Sequence, residues 1–179
     1  ARFTAMTRLD QNRAQHQLAH KASCAVSDVK RLGIWGNHSN TMYPDFYHAT
    51  IQGKPVTDAI EDLNWLQGDF IQVIQQRGKA IIEARGASSA ASAANAAVEH
   101  VRDWFRETPQ DDFVAMAVPS DGSYGVEPGL IFSFPVRCDG QGNYDIVKGI
   151  ELNDFAQEKI AKTKEQLLEE KAIVADLLS

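Results

Sequence analysis

The amino-acid sequence predicts an α+β domain in which antiparallel strands pack with several helices. Three observations support this fold class: helix-like apolar periods lie towards both ends of the chain, three β-type segments lie between 113 and 150, and glycine-rich turns join those segments. Short links favour antiparallel neighbours, because parallel pairs need long crossover connections. No repeat or interdomain linker is visible, so we expect residues 1–179 to form one domain.

Periodicity in the first half of the chain predicts helices on either side of a small β region. Thr57 resembles an N-cap, Gly68 is expected to separate two helices, and Gly86 is expected to end the second one. His48 has the pattern of a strand residue, so we assign it no chemistry. The predicted elements are a helix over 7–25, a strand over 29–35, hairpin strands over 46–52 and 54–56, and helices over 57–66 and 69–85.

A run of small residues over 87–97 opens the next predicted helix. The run is nearly all alanine, serine and asparagine, and alanine is the best helix former. The helix is expected to continue to Phe105. Its expected core stripe is Val98, Val101, Trp104 and Phe105, whereas His100, Arg102 and Arg106 are expected on the surface.

Pro109 breaks this helix, and the antiparallel strands follow it. The two turns between the strands are rich in glycine, but neither leads into a helix, so we do not interpret them as phosphate-binding loops. A charged amphipathic helix closes the chain, with an Asn or Asp cap. The predicted strands cover 113–118, 129–136 and 144–150, and the last helix runs from Asn153 or Asp154 to about Leu178.

Composition excludes several classes of function. A net charge of −6 and a pI near 5.3 argue against sequence-independent binding to nucleic acid, which requires a basic face. No apolar run could span a bilayer and no signal-peptide pattern is visible, so we expect no membrane partner and a cytoplasmic location. Cys24 and Cys138 match no metal spacing and are expected to be free thiols. His16 and His20 are one helical turn apart without a third ligand, so no metal site is assigned.

A histidine at the exit of a strand is the first candidate for chemistry. His38 follows the apolar segment that ends at Trp35, and Gly36 permits a turn between them. Asp10 and Arg13 are three residues apart, which on a helix places both on one face. Together they offer an acid–base group, an anion to orient it and a cation for an acidic substrate. Taken one at a time, such a histidine is more often a turn or surface residue, and such an Asp and Arg are more often a solvated ion pair.

Three ordered segments give these residues a context. They are residues 3–14 (FTAMTRLDQNRA), 34–39 (IWGNHS) and 86–96 (GASSAASAANA). In order and spacing they resemble the C-terminal, substrate-binding half of NAD-dependent malate dehydrogenase, in the lactate/malate dehydrogenase family. The Trp-Gly-Asn-His-Ser form is more similar to the malate branch than to the lactate branch.

The resemblance implies a role for each candidate residue. His38 would accept and donate the substrate proton, Asp10 would orient it, Arg13 would bind a substrate carboxylate, and Ser88 would line the nicotinamide ring. Malate or oxaloacetate would be the substrate. A homo-oligomer is implied as well.

The resemblance also implies parts that this chain lacks. No G-x-G-x-x-G motif is present, so NAD would be bound mainly by a dinucleotide-binding half that is absent here, together with the mobile loop that selects the substrate. We therefore expect a domain fragment that is inactive alone, because the reacting groups would not be positioned. A non-enzymatic binding or scaffold module that retains the fold is the alternative.

Overall fold

Antiparallel pairing organises every sheet of the computed structural model, which describes residues 3–177. The largest sheet has the order β6-β7-β8, a second pairs β2 with β3, and a third has the order β1-β4-β5. The α+β class predicted from the sequence is therefore confirmed. The strands are β1 (Val29–Lys30), β2 (Gly33–Trp35), β3 (Tyr43–Asp45), β4 (Thr50–Ile51), β5 (Lys54–Pro55), β6 (Val114–Pro119), β7 (Ile131–Cys138) and β8 (Tyr144–Ile146).

Strand β7 forms the centre of the core. Its residues 132–136 are all buried, β6 and β8 flank the strand on either side, and β2 also contacts it. Gly36, just after β2, exchanges two backbone hydrogen bonds with Ser133 of β7, at 3.1 and 2.7 Å. The β2–β3 hairpin is thereby attached to the central strand. The helices are α1 (Arg8–Lys21), α2 (Val56–Ala59), α3 (Leu63–Trp65), α4 (Ile71–Arg85), α5 (Ala91–Trp104) and α6 (Asp154–Ile173).

The strand predicted over 29–35 is divided in two by Arg31. This residue adopts a positive φ of 56°, and its N–H donates to the Asp112 carboxylate at 2.7 Å instead of to a neighbouring strand. As a result, β1 and β2 join different sheets. The hairpin around Gly53 is also shorter than predicted, since its two strands are only Thr50–Ile51 and Lys54–Pro55. His48 lies in the bend before this hairpin rather than in a strand.

Two helix signals in the first half of the chain were wrong. Thr57 caps no helix, because α2 already begins at Val56 and follows Pro55. Asp62 supplies the cap instead, since its carboxylate accepts a hydrogen bond from the Trp65 N–H at 3.0 Å. Gly68 does not separate two helices either. It lies in a π-helical turn, Leu66–Phe70, that carries the chain from α3 into α4.

Helix α4 ends at Gly86 as predicted. Gly86 has a φ of 67° and its N–H donates to the Ile82 carbonyl at 2.8 Å, the left-handed geometry that favours glycine after a helix. Helix α5 begins at Ala91, later than the predicted 87.

The predicted core stripe of α5 was largely wrong. Trp104 is buried, but Val98, Val101 and Phe105 are exposed, and His100, expected on the surface, is only 6% exposed. The buried residues of α5 are Ala96, His100 and Trp104, which recur every four residues. The valines therefore lie on another face of the helix.

Helix α6 is capped by Asn153, whose side chain accepts a hydrogen bond from the Ala156 N–H at 2.9 Å. Its apolar face packs on the core through Phe155, Ile160 and Leu167, while Val174 after the helix is exposed. Leu178, expected at its end, lies outside the described residues. No helix in the described part of the chain combines the length and the apolarity needed to cross a membrane.

Candidate active site

The His38 loop, defined here as residues 37–42, connects β2 to β3. Gly36 precedes it with a φ of 98°, and a β-carbon at this position would lie 2.0 Å from Thr163 Oγ1 of α6. Both the backbone angle and the close approach therefore require glycine. The glycine that the sequence suggested as a turn residue also lets the loop lie directly against α6.

His38 and Asp10 form a close polar contact in the site. His38 Nδ1 lies 2.6 Å from Asp10 Oδ2, at the first turn of α1. The carboxylate is fully buried, whereas the imidazole side chain is 54% exposed. The hydrogen bond to Asp10 raises the pKa of His38, and partial burial and the nearby Arg13 oppose the rise.

Arg13 lies one helical turn after Asp10, on the same face of α1, as its spacing predicted. Its Nη1 is 3.7 Å from Asp10 Oδ1, a distance that allows electrostatic attraction but exceeds a hydrogen bond. Among the described residues, Asp10 Oδ1 has no hydrogen-bond partner. Arg13 therefore offsets the charge of the buried carboxylate while its guanidinium N–H groups are not committed to it.

Three of the four residues singled out from the sequence line one cavity. The cavity measures about 390 Å³ and is bordered by His38, Arg13 and Ser88, with Asp10 behind His38. This volume falls within the range of small-molecule sites, about 300–1,000 Å³. The structure thus brings together residues from α1, from the His38 loop and from the segment before α5.

Arg13 also borders a second cavity of about 380 Å³ between α1, α4 and α5. Burial lowers the pKa of Arg13, Asp10 opposes that fall, and the positive charge of Arg77 of α4, which also lines this cavity, adds to it. Arg77 was not among the residues identified from the sequence. We place the candidate site in the first cavity, because that cavity contains the acid–base group.

A second buried carboxylate supports the base of the β2–β3 hairpin. Asp45 is 1% exposed and accepts hydrogen bonds from Trp35 Nε1 at 3.0 Å and from Tyr43 OH at 3.3 Å. His48 Nδ1 lies 2.7 Å from the same carboxylate, and its Nε2 lies 3.1 Å from the Glu151 carbonyl oxygen. His48 therefore has a structural partner away from the cavity, which its sequence pattern did not reveal.

Within residues 3–177, no group of three or more His, Cys, Asp or Glu side chains is arranged to hold a metal ion. The polar residues of α6 that contact the His38 loop, Thr163 and Gln166, were not singled out from the sequence. They lie more than 120 positions from the loop, so no local pattern connects the two segments.

Comparison with known proteins identifies the family. Residues 7–177 match the family model described as lactate/malate dehydrogenase, alpha/beta C-terminal domain. A solved malate dehydrogenase from Naegleria fowleri is 46% identical, with a TM-score of 0.91, over 98% of this chain and 53% of that chain. A lactate dehydrogenase from Trichomonas vaginalis, solved with NADH and oxamate, is 35% identical, with a TM-score of 0.92, over 98% of this chain and 55% of that chain.

A malate dehydrogenase from Plasmodium falciparum is similar in fold, with a TM-score of 0.80 at 21% identity, over 96% of this chain and 54% of that chain. The chain thus spans about half the length of these solved structures. The family model, in contrast, covers nearly the whole chain. This chain therefore belongs to the lactate/malate dehydrogenase family, whose α/β C-terminal domain it matches.

Proposed function

We propose that this domain is the substrate-binding and catalytic half of an NAD-dependent malate dehydrogenase, which interconverts malate and oxaloacetate. The observation that carries the proposal is the 2.6 Å contact between His38 and the buried Asp10, beside a cavity that Arg13 also lines. An imidazole, a carboxylate that orients it and a guanidinium are the groups that oxidation of a 2-hydroxy acid requires.

His38 would act as the general base in malate oxidation. Because Asp10 accepts from Nδ1, the neutral ring carries its proton there, and Nε2 is left to accept the proton of the substrate hydroxyl. As that proton leaves, the C2–H bond breaks with its electron pair and a carbonyl forms. Bound NAD⁺ supplies the hydride acceptor. In the reverse direction, the same Nε2 donates its proton to the carbonyl oxygen of oxaloacetate.

Asp10 would stabilise the imidazolium that forms during the reaction. Its full burial makes the interaction with the ring stronger than it would be in water. Arg13 would bind a substrate carboxylate through two parallel N–H···O bonds, a geometry that the planar guanidinium provides and a lysine ammonium does not.

Small side chains form part of the wall of the cavity that contains His38. Ser88, Ser89 and Ala93 line it, and these small side chains leave room beside His38. We accordingly propose that Ser88 lines the nicotinamide site. The adenosine and phosphate parts of NAD would be bound by a separate dinucleotide-binding domain, since this chain contains no glycine-rich nucleotide motif.

Association with that domain, and with a second copy, belongs to the same proposal. Exposed apolar side chains occur on α4, at Val73 and Ile82, and on α5, at Val98 and Val101. Exposed apolar side chains of this kind are typical of surfaces that a partner covers.

Malate rather than lactate is the proposed substrate class for two reasons. The Trp-Gly-Asn-His-Ser segment resembles the malate branch, and identity to the Naegleria fowleri malate dehydrogenase is 46%, compared with 35% to the Trichomonas vaginalis lactate dehydrogenase. Both relatives contain a further half that this chain does not match. The test must therefore separate the contribution of this domain to substrate preference from that of the other half.

The experiment is to fuse this chain to the dinucleotide-binding half of each of these two relatives and to follow NADH oxidation with oxaloacetate and with pyruvate. We expect the chain alone to be inactive and both fusions to be active. Because the mobile loop that selects the substrate would come with the fused half, a preference for oxaloacetate in both fusions would show that this half also contributes to selection, whereas a preference that follows the fused half would place selection in that half.

His38→Asn should abolish activity in the fusions, whereas His20→Asn, at an exposed position of α1, should not. Inactive fusions with an intact circular dichroism spectrum would contradict the enzymatic proposal and favour a binding module.

A further inference from the structure

The His38 loop is held from the opposite side by helix α6. Gln166 Oε1 lies within hydrogen-bond distance of three donors in the loop: Asn37 Nδ2 at 3.0 Å, Ser39 Oγ at 2.7 Å and Thr41 Oγ1 at 2.5 Å. A single side chain of α6 thus contacts the residues on both sides of His38.

Thr163, one helical turn before Gln166, adds a second attachment. Its hydroxyl accepts the Asn37 backbone N–H at 3.2 Å and donates to the Asn37 carboxamide oxygen at 3.0 Å. Thr163 is fully buried and occupies the space that a side chain at Gly36 would need. Thr163 therefore fixes the start of the His38 loop against α6, through its hydrogen bonds to Asn37 and its close packing on Gly36.

Gln166 Oε1 is one of the few side-chain acceptors that the polar groups of the His38 loop share. Ser39 and Thr41 each have one hydroxyl proton; both hydroxyls lie within hydrogen-bond distance of Gln166 Oε1 and of the Asn37 carboxamide oxygen, and they lie 3.1 Å from each other. The Ser39 hydroxyl also accepts the Thr41 backbone N–H at 3.2 Å. Removing the Gln166 oxygen would leave the Asn37 Nδ2 donor without this partner and would shift both hydroxyls towards the Asn37 oxygen, which already accepts from Thr163. An unpaired part-buried donor costs more than the loss of one bond suggests.

His38 itself has weaker support. Its side chain is 54% exposed, and its contact to Asp10 joins the loop to α1. The distance between the imidazole and Asp10 is therefore determined by where the loop lies, and the loop is held by α6.

We propose that Gln166 and Thr163 are positioning residues that hold His38 at hydrogen-bond distance from Asp10. Their importance for turnover rests on the proposed dehydrogenase function, whereas their effect on the His38–Asp10 geometry does not. The side chains of Gln166 and Thr163 do not line the cavity that His38, Arg13 and Ser88 border.

The first test uses this chain itself and needs no activity. Gln166→Leu removes the acceptor at similar size, Gln166→Glu keeps an acceptor, and Glu165→Leu changes the adjacent exposed residue of α6 as a matched control. NMR measures the pH titration of the His38 imidazole and the hydrogen exchange of the Thr41 amide.

We expect Gln166→Leu to lower the pKa of His38 towards its ordinary value and to speed exchange at Thr41 by about tenfold or more, the effect of losing one good hydrogen bond. Gln166→Glu should keep the slow exchange, and Glu165→Leu should change neither measurement. Thr163→Val, which removes the hydroxyl at similar size, should speed exchange at Asn37. An unchanged His38 titration and Thr41 exchange in a folded Gln166→Leu variant would overturn the proposal.

A second test uses the active fusion. Gln166→Leu should lower kcat and shift the pH profile while KM changes little, and Gln166→Glu should restore most of kcat. An active parent fusion whose kcat and pH profile are unaffected by Gln166→Leu would contradict the positioning role. NMR effects as expected in a chain whose fusions are all inactive would instead support the loop attachment and contradict the dehydrogenase proposal.

Discussion

His38 and Asp10 lie 28 positions apart in the chain, yet His38 Nδ1 and Asp10 Oδ2 are separated by 2.6 Å. The two groups differ in environment, since the carboxylate is fully buried and the imidazole is half exposed. The buried carboxylate holds one ring nitrogen, and the exposed side of the ring borders the cavity. This division between an inner orienting group and an outer reactive group underlies the first prediction.

Asp10→Asn should lower the pKa of His38 towards its ordinary value of about 6.5, because an uncharged amide stabilises the imidazolium less than a carboxylate does. NMR titration of the chain measures this directly. In the active fusion we expect kcat to fall by about 10²–10⁴-fold, the range typical of general acid–base catalysis. Asp69→Asn, at an exposed position, is the control, and an unchanged His38 titration in Asp10→Asn would show that the contact is not formed in solution.

Arg13→Lys should raise KM for oxaloacetate by about 10- to 100-fold, because hydrogen bonds to charged groups contribute roughly 1.5–3 kcal/mol and the ammonium cannot form the paired bonds. Steady-state kinetics of the fusion measures the change. Arg85→Lys, at the exposed end of α4, should leave KM as it is. Equal KM values for the Arg13→Lys variant and the parent would remove Arg13 from the substrate site.

Gly36→Ala should destabilise the domain by roughly 3 kcal/mol or more, since a β-carbon would meet Thr163 Oγ1 at 2.0 Å in addition to the strain of a positive φ. Gly53→Ala is the matched control, because Gly53 also has a positive φ of 81° but no atom within 4 Å of the added β-carbon. Its cost should be that of the backbone alone, about 1–2 kcal/mol. Urea unfolding of both variants tests the difference, and equal losses would show that the approach of α6 is not tight.

His48→Asn should destabilise the domain more at about pH 6 than at about pH 9. The hydrogen bond to the buried Asp45 raises the pKa of His48 in the folded state, so its stabilisation is fully present below the unfolded pKa near 6.5 and is lost as pH rises through the folded pKa. We expect a loss of about 1–3 kcal/mol at the lower pH. Urea unfolding at both pH values tests this, and a loss independent of pH would indicate that His48 is uncharged in the fold.

His100 should have the opposite pH dependence. Burial, and then the positive charge of Arg8, lower its pKa, so the folded state holds the neutral ring. Its contribution to stability is therefore present above the unfolded pKa near 6.5 and is lost as pH falls towards the folded pKa. The His100 ring packs edge-on against Trp104, with the two ring centroids 5.7 Å apart, and His100→Phe keeps an aromatic ring at this place. The substitution should reduce the fall in Tm between about pH 7 and pH 5. An unchanged acid sensitivity would contradict the buried, neutral state.

Local signals predicted much of the fold. The spacing of Asp10 and Arg13 on a helix, the helix stop at Gly86 and the antiparallel strands after Pro109 are all present in the structure. These features depend on a few consecutive residues, whose backbone preferences act over the same short range as the signal.

Predictions were less successful where they required a choice among the faces of a helix or among distant hydrogen-bond partners. Val101 and His100 are adjacent and both are compatible with a helix, but the histidine is buried, with its ring against Thr4 and Trp104, whereas the valine is exposed. Arg31 has no local signal for a strand break, because the break follows from a hydrogen bond to Asp112, 81 positions away.

By itself, the sequence determined the fold class, the family and the residue types available for acid–base chemistry and for binding an anion. The resemblance implied that Asp10 orients His38, and the tertiary structure supplied the geometry of that contact. The tertiary structure alone decided that His48 reaches the Glu151 carbonyl and that Gln166 of the last helix holds the His38 loop. The physical reason is that these contacts join distant segments, so they depend on how the core brings α1, the hairpin and α6 together rather than on the preferences of neighbouring residues.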